Sequence, residues 1–398
     1  MHDAILVLNA GSSSIKLMLF GLDLTERLSG VADAIGGKSR LRIGSETSRP
    51  EMPDHEAALR IIFSDLAEQG IKLETLRAVG HRVVHGGSRL TAPQRLTPEV
   101  RSEIVACVPL APLHNGHNLA AIDAVARLAP KLPQFVSFDT GFHGTNPALA
   151  TSYALPPDYA ERGIRRYGFH GLSYSALVRN FPEITGQPLP PRLLACHLGN
   201  GASLCAIRDG VSVATTMGYS PLEGLTMGTR VGSIDANAVL RLVEEEGIEA
   251  TRELLNHRAG LLGLSGLSAD MRALSEDKSS DSNFAIAHFC YWAARNAGSM
   301  IAAMDGCDAI AFSGGIGENA TDVRADILGR LGWLGVRVEP ARNETGGPRL
   351  HAEGSRLAAW VLPADEEREI ARDAIGLLQQ NLRSAGPHAR DRAGSDGL

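Results

Sequence analysis

Lysine is scarce in this 398-residue chain: only five of the 39 basic residues are lysine, and the net charge is −6. That net charge does not suit a basic face for nucleic acid or an anionic membrane surface, so no such partner is expected, while the scarcity of lysine makes Lys16 a residue to watch. Cysteine is sparse too. The five present (Cys107, Cys196, Cys205, Cys290 and Cys307) are odd in number and form no C-x-x-C pair, which excludes a disulfide framework and a zinc set. No uninterrupted apolar stretch approaches the roughly 18 to 20 residues that cross a bilayer. The first residues, M-H-D-A-I-L-V-L, lack the basic start and long apolar run of a signal peptide. A soluble, cytoplasmic protein is the expectation. A hydrophobic share of 44% with 21% charged residues excludes disorder over the whole chain, and the length leaves room for about two or three domains.

What is abundant is glycine, 43 residues, and it clusters at the ends of apolar runs. Ile5–Leu8 and Ile15–Phe20 flank N-A-G-S-S-S and read as a hairpin with a polar tip. Leu193–Leu198 and Leu204–Ile207 flank G-N-G-A-S in the same way, and Val211–Thr215 follows an Asp-Gly turn. Apolar spacing predicts helices over His55–Glu68, Asn118–Leu128 and Asn283–Met304. Strands are expected at Phe135–Phe138 and Ala309–Phe312, which correspond in order. The plan is therefore a duplicated α/β core with two polar hairpins at one cleft. The tail beyond about Gln380 is polar and small, and is expected to be disordered.

Three loops sit at strand ends. Asn9–Lys16 offers a tight turn at Gly11, hydroxyls at Ser12 and Ser14, and the charge of Lys16. It fits neither G-x-x-x-x-G-K-[ST] nor G-x-G-x-x-G, so a Walker A loop and a dinucleotide site are excluded. H-L-G-N-G-A-S at His197–Ser203 and S-G-G-I-G-E-N at Ser313–Asn319 present further backbone amides, the second at the start of a helix. Each alone reads as an ordinary turn; three together favour a nucleotide phosphate site. Arg82 in G-H-R-V-V-H-G-G and Arg230 in M-G-T-R-V-G can each grip an anion with two parallel hydrogen bonds. Asp139 ends a strand before Thr-Gly, where α/β folds place functional carboxylates, although a plain turn aspartate would look the same. His114 in P-L-H-N and His170 in Y-G-F-H-G are equally open between structural and catalytic work. G-x-S-x-G is absent.

Taken together, L-N-A-G-S-S-S-I-K, G-H-R-V-V-H-G-G, A-P-L-H-N, F-D-T-G-F-H, R-R-Y-G-F-H-G, C-H-L-G-N-G-A-S, M-G-Y-S-P-L-E-G-L-T-M-G-T-R and G-G-I-G-E-N closely resemble the acetate kinase family. They run in family order from Leu8 to Asn319, and D-E-E-R-E-I-A-R-D extends the likeness to about residue 373. The resemblance implies two ribonuclease-H-like domains of the actin and sugar-kinase superfamily around an ATP cleft. The first would span 1–140 plus 371–398, and the second 141–370.

The resemblance also implies roles. Arg82 and Arg230 would hold the carboxylate and the transferring phosphoryl group, His170 would stabilise the transition state, and Asp139 would be the essential acid. Asn9 and Glu366 would lie at a Mg²⁺ site that Mn²⁺ could also fill. Ser12, Ser14 and Lys16 would lie near the phosphates. ATP or ADP would bind along His197, Leu198, Gly199, Asn200 and Gly201, at Asp270, Met271 and Arg272, and along Gly314, Gly315, Ile316, Gly317 and Glu318. Val84, Leu113, Phe169 and Pro221 would form the pocket for the substrate methyl, and the protein would be a homodimer. Departures from the family pattern include Ser233 for an aspartate, Ala236-Asn237 for Pro-Ala, and Gly116 for a proline.

The chemistry fits these expectations. A carboxylate is already ionised at pH 7, so the task is to bring two anions together, for which arginines and a divalent ion suffice. Direct in-line transfer is expected. The competing readings are a propionate kinase of the same family and, from another class, a nucleotide-driven chaperone-like or actin-like binding protein.

Overall fold

The computed structural model describes residues 3–384 apart from Ser12 and Leu113, with the side chains of 381–384 also left aside. The expected disordered tail therefore lies largely outside the described residues. The chain divides into two compact units, Met1–Gly141 with Glu366–Leu398, and Phe142–Asp365.

In the first unit the hairpin forms as β1 (Ala4–Ala10) and β2 (Ile15–Gly21), and β3 (Glu26–Asp33), β4 (Arg40–Ile43) and β5 (Glu46–Ser48) extend it by antiparallel pairing. On the other side of β1, the strand β6 (Ala78–Val83) pairs in parallel, followed by β7 (Gln94–Arg95) and β8 (Gln134–Phe138) in the order β1-β6-β8-β7. Strand β1 is buried throughout because both of its faces are covered. Leu6 and Leu8 join the core under the helices His55–Glu68 and Asn115–Leu128, while Ile5 faces Ala374 and Ile375 of the C-terminal helix Glu366–Ser384. This alternation is the two-residue period of a strand. The helix His55–Glu68 starts where Asp54 accepts from the Ala57 amide at 2.8 Å.

The second unit repeats the plan. Its strands are β9 (Arg192–Leu198), β10 (Ala202–Arg208), β11 (Val211–Thr215), β12 (Ala309–Ser313) and β13 (Ala358–Val361), in the order β11-β10-β9-β12-β13. β11-β10-β9 are antiparallel, as β3-β2-β1 are, and β12 and β13 run parallel to β9, as β6 and β8 do to β1. Tyr174, Leu177 and Phe181 of the helix Gly171–Thr185 cover one face of this sheet. The helix Ser280–Ala303 covers the other.

One expected correspondence needs correction. Ala309–Ser313 is the counterpart of β6, not of β8, because it lies beside β9 as β6 lies beside β1. The counterpart of β8 is β13, whose sequence A-A-W-V carries too short an apolar run to stand out. With that change the two sheets share one ribonuclease-H-like order, and in each unit the polar loops fall at the carboxyl ends of the parallel strands.

Candidate active site

Three neighbouring parallel strands of the first unit deliver three polar side chains. Asn9 comes from β1, Arg82 from β6, and Asp139 from the residue just past β8. Asp139 is 1% exposed, and both of its oxygens take hydrogen bonds from Arg82, Nε at 2.8 Å and Nη2 at 2.5 Å. Arg82 Nη1 donates to Asn9 Oδ1 at 3.1 Å, and Asn9 Nδ2 donates to Glu367 Oε1 at 3.2 Å. Glu366 stands 3.9 Å from Arg82 Nε. Burial works against the charge on Arg82, but Asp139 and Glu366 outweigh it and raise its pKa. Two of its five N–H groups stay outside these bonds.

Glu366 is the strained member of this group. Burial pushes its carboxyl up to about 7. Arg82 and Lys16 pull it down, while Asp139 and Glu367 push it further up. Three carboxyl groups facing one guanidinium and one ammonium leave an excess of negative charge that a hard cation would relieve. The donor set fits Mg²⁺ in its usual mode, in which one or two carboxylates and a carbonyl oxygen leave the remaining positions to water and phosphate. No cluster of three or more His, Cys, Asp or Glu side chains able to hold a metal occurs among the described residues. Lys16 lies opposite Asn9 in the β1–β2 register, and Ser14 closes the loop by accepting from the Gly11 amide at 2.8 Å. Val84 follows β6 and is buried. Ser12 and Leu113 lie outside the described residues.

In the second unit His170 adopts a left-handed backbone (φ +59°) ahead of the helix that Gly171 opens. A non-glycine residue there carries strain that often marks a functional site. Its Nδ1 lies 2.9 Å from Ser203 Oγ, which also meets the Tyr174 hydroxyl at 2.6 Å. Its ring stacks on His197 at 4.1 Å, and His197 Nδ1 lies 2.8 Å from Ser173 Oγ. The other ring nitrogen points to the G-N-G turn. A Cβ built at Gly201 would lie 3.1 Å from His170 Nε2 and 2.7 Å from Arg230 Nη2, so both side chains flank this one glycine.

Arg230 contrasts with Arg82. Its Nη1 donates to the Pro221 carbonyl, and no carboxylate forms an ion pair with it among the described residues. Burial pulls its pKa down to about 10. A half-buried guanidinium without a counter-ion is poised for an anion that the protein itself does not supply. Ser233, standing where the family pattern has an aspartate, donates to the Gly224 carbonyl at 3.1 Å. Phe169 is buried beside His170, and its carbonyl lies 2.9 Å from His143 Nε2.

A cavity of about 930 Å³ opens in the same unit. Gly199, Asn200, Asp270, Met271, Arg272, Gly315 and Ile316 line it as expected residues. His197, Leu198, Gly201, Gly314, Gly317 and Glu318 do not line it; they build its turns. Glu318 Oε1 accepts from the amides of Gly314 (3.0 Å) and Ala364 (2.9 Å), which ties the helical turn Gly314–Asn319 to the segment after β13. Arg324, fully buried, donates to the carbonyls of Gly317, Glu318 and Asn343 from below. Sequence reasoning missed Arg324, and also Ser275, Lys278, Asn283 and Thr321 in the cavity wall. Only Lys278 carried a signal, as one of the five lysines.

All five cysteines are free thiols. Burial pushes all five thiols up, Cys107 to about 11 and Cys205, Cys290 and Cys307 to about 12, which favours the protonated form at neutral pH. No helix among the described residues is long and apolar enough to cross a membrane.

Comparison with known proteins agrees along nearly the whole length. The profile of the acetokinase family matches residues 4–372. An acetate kinase of Rhodopseudomonas palustris is 42% identical over 389 residues, covering 94% of this chain and 98% of the relative. A propionate kinase of Francisella tularensis superposes with a TM-score of 0.89 at 33% identity, covering 93% of this chain and 98% of the other. An acetate kinase of Porphyromonas gingivalis gives 0.85 at 35%, covering 94% and 100%. The chain belongs to the acetokinase family.

Proposed function

We propose that this chain catalyses reversible, Mg²⁺-dependent, in-line transfer of the γ-phosphoryl group of ATP to acetate, giving acetyl phosphate and ADP. The observation that carries the reading is Arg230, a guanidinium with no carboxylate partner among the described residues, beside His170 and in the unit that holds a cavity large enough for a nucleotide.

Acetate arrives ionised, so no general base is required. Arg82, held rigid by Asp139, directs its remaining N–H groups at the carboxylate or the phosphoryl oxygens. Arg230 and His170 take up the charge that spreads over the equatorial oxygens in the transition state, where preorganised donors are most effective. The amides of the G-N-G turn and of the Gly314–Asn319 turn receive the phosphates, and the residues of the cavity wall hold the nucleoside. Bound Mg²⁺, held by Glu366 with the Asn9 carbonyl oxygen, would neutralise phosphate charge. Val84, Leu113, Phe169 and Pro221 receive the methyl group. The homodimer is part of this reading on the strength of the family resemblance alone. The thiols suit a reducing cytoplasm.

Propionate is the second reading, favoured by the likeness to the Francisella tularensis propionate kinase. One methylene changes selectivity by only about 1 to 3 kcal/mol. A hydroxylamine-trapping assay with ATP and Mg²⁺ across formate, acetate, propionate and butyrate tests both. Acetyl hydroxamate formed with the highest kcat/KM is expected. ATP hydrolysis with no acyl phosphate from any acid would overturn the reading in favour of a nucleotide-driven binding protein.

A further inference from the structure

The parallel register of β1 and β6 runs from Ile5 opposite Ala78 to Leu8 opposite His81 and stops. Just past that point the direct backbone pairing ends, and this gap in the ladder falls beside the residues that matter, Asn9 on one strand and Arg82 on the other. One side chain spans it. Asn118, in the first turns of the helix Asn115–Leu128, accepts from the Val84 amide at 3.1 Å and donates to the Ala10 carbonyl at 2.8 Å. Its neighbour Asn115 takes both backbone groups of His85, accepting from the amide at 3.1 Å and donating to the carbonyl at 2.9 Å. Both asparagines are essentially unexposed, at 1% and 0%.

We infer that Asn118 is a positioning residue: its amide is the spacer that sets β1 against β6, and so holds Asn9 to Arg82. The inference rests on the proposed role of Arg82. The chemistry selects the residue type. The gap presents one buried N–H and one buried C=O, each of which needs a partner. A planar primary amide offers an acceptor and a donor on one short side chain. An ionised carboxylate only accepts and would face the Ala10 carbonyl lone pairs. An apolar side chain satisfies neither group. Nothing places Asn118 against substrate, so its effect on turnover would pass through Asn9 and Arg82.

The test exploits an isostere. A protonated carboxyl has the same donor and acceptor pair as the amide, so Asn118→Asp should work when protonated and fail when ionised. Burial between backbone groups raises the pKa of the introduced carboxyl into an accessible range. Wild type, Asn118→Asp and Asn118→Ala are assayed for acyl hydroxamate from pH 6 to 8.5, with melting curves alongside. Near pH 8 both variants should lose roughly 10- to 100-fold in kcat, the scale of a misplacement of about 1 Å, with KM for ATP within about twofold. Relative to wild type, Asn118→Asp should recover roughly tenfold as the pH falls from 8 to 6, while Asn118→Ala stays flat. The titratable and charged groups on the elements packed here (His55, His85, His114, His117, Arg82, Asp139, Glu366 and Glu367) are common to all three enzymes, so their direct contributions divide out of the ratio.

A pH-independent ratio for Asn118→Asp, or near-normal kcat for Asn118→Ala, overturns the inference. Should Asn118→Ala not fold, the acid recovery of Asn118→Asp decides alone. Wild-type enzyme inert with every carboxylate sinks the proposed function instead. Acid recovery of the Asn118→Asp melting temperature relative to wild type then decides whether the spacer exists.

Discussion

Arg82 and Asp139 form a two-point fork, Nε to Oδ1 and Nη2 to Oδ2, on the ends of adjacent parallel strands. The fork fixes the plane of the guanidinium before any ligand arrives. The N–H groups left over are therefore aimed by the protein and not by the substrate. Arg82→Lys keeps the charge but cannot hold two oxygens and a third partner in one plane. It should lose at least ~100-fold in kcat, close to the loss for Arg82→Ala. Asp139→Asn should cost nearly as much, because an amide turns a donor toward the guanidinium. Steady-state kcat and KM for acetate check this; near-normal kcat in Arg82→Lys would show that charge alone suffices.

Arg230 invites the opposite experiment. With no carboxylate partner among the described residues its burial costs stability, and that cost is the reason its pKa falls to about 10. Arg230→Met removes the charge and keeps much of the side-chain volume. The variant should lose at least ~100-fold in turnover and yet melt at the same or a higher temperature. A clear drop in melting temperature would mean that Arg230 serves the fold first.

The contrast between these arginines explains what the sequence could disclose. Both stand out by their glycine-bounded contexts: Arg82 lies on the strand that its alternation with His81 and Val83 indicates, and Arg230 in a glycine-rich loop. Their partners were hidden, because a pairing such as Arg82 with Asp139 spans 57 positions and depends on strand order. Arg324 was invisible for a related reason. On a helix of mixed composition it reads as a solvated residue, and only the fold shows it buried beneath the carbonyls of Gly317 and Glu318. Asn115 and Asn118 sat within or beside a recognised motif, but nothing in their spacing reveals that they stitch two strand ends. Periodicity reports which face of an element is buried, not which polar group waits there. The swapped counterparts of β6 and β8 arose in the same way, since sequence order alone does not say which strand lies next to which.

Glu366 makes stability depend on pH in a direction that can be isolated. Its carboxyl titrates near 7 in the folded protein and near 4.5 as an ordinary glutamate. Between those values the folded state holds a proton that the unfolded chain has released. Its contribution to stability is full below about 4.5 and is lost as the pH rises through 7. His81 and His85 act oppositely: burial takes both down to about 4, so their contribution is present above 6.5 and lost toward 4. The wild-type melting profile mixes these trends, but Glu366→Gln removes only the first. From pH 5.5 to 8 the melting temperature of wild type should fall relative to that of the variant. Added Mg²⁺ at pH 8 should raise wild type more than Glu366→Gln, the mark of a metal ligand. A pH-independent gap between the two would place Glu366 outside the charge cluster.

Two adjacent glycines should separate fold from ligand. Gly314 has φ +77°, and a Cβ there would lie 2.8 Å from the Leu198 carbonyl oxygen, so any side chain strains the end of β12. At Gly315 an added Cβ meets no protein atom within 4 Å, yet this glycine lines the 930 Å³ cavity. The open space beside it is where the nucleotide is proposed to lie. Gly314→Ala should therefore lower the melting temperature, by a loss of about 1 to 3 kcal/mol for enforced left-handed backbone and crowding. Gly315→Ala should leave melting near that of wild type and raise KM for ATP by roughly tenfold, with KM for acetate little changed. Calorimetry and nucleotide titration of the two variants read the two effects apart. If Gly315→Ala binds ATP as wild type does, the turn contacts no nucleotide, and the cavity is assigned to something else.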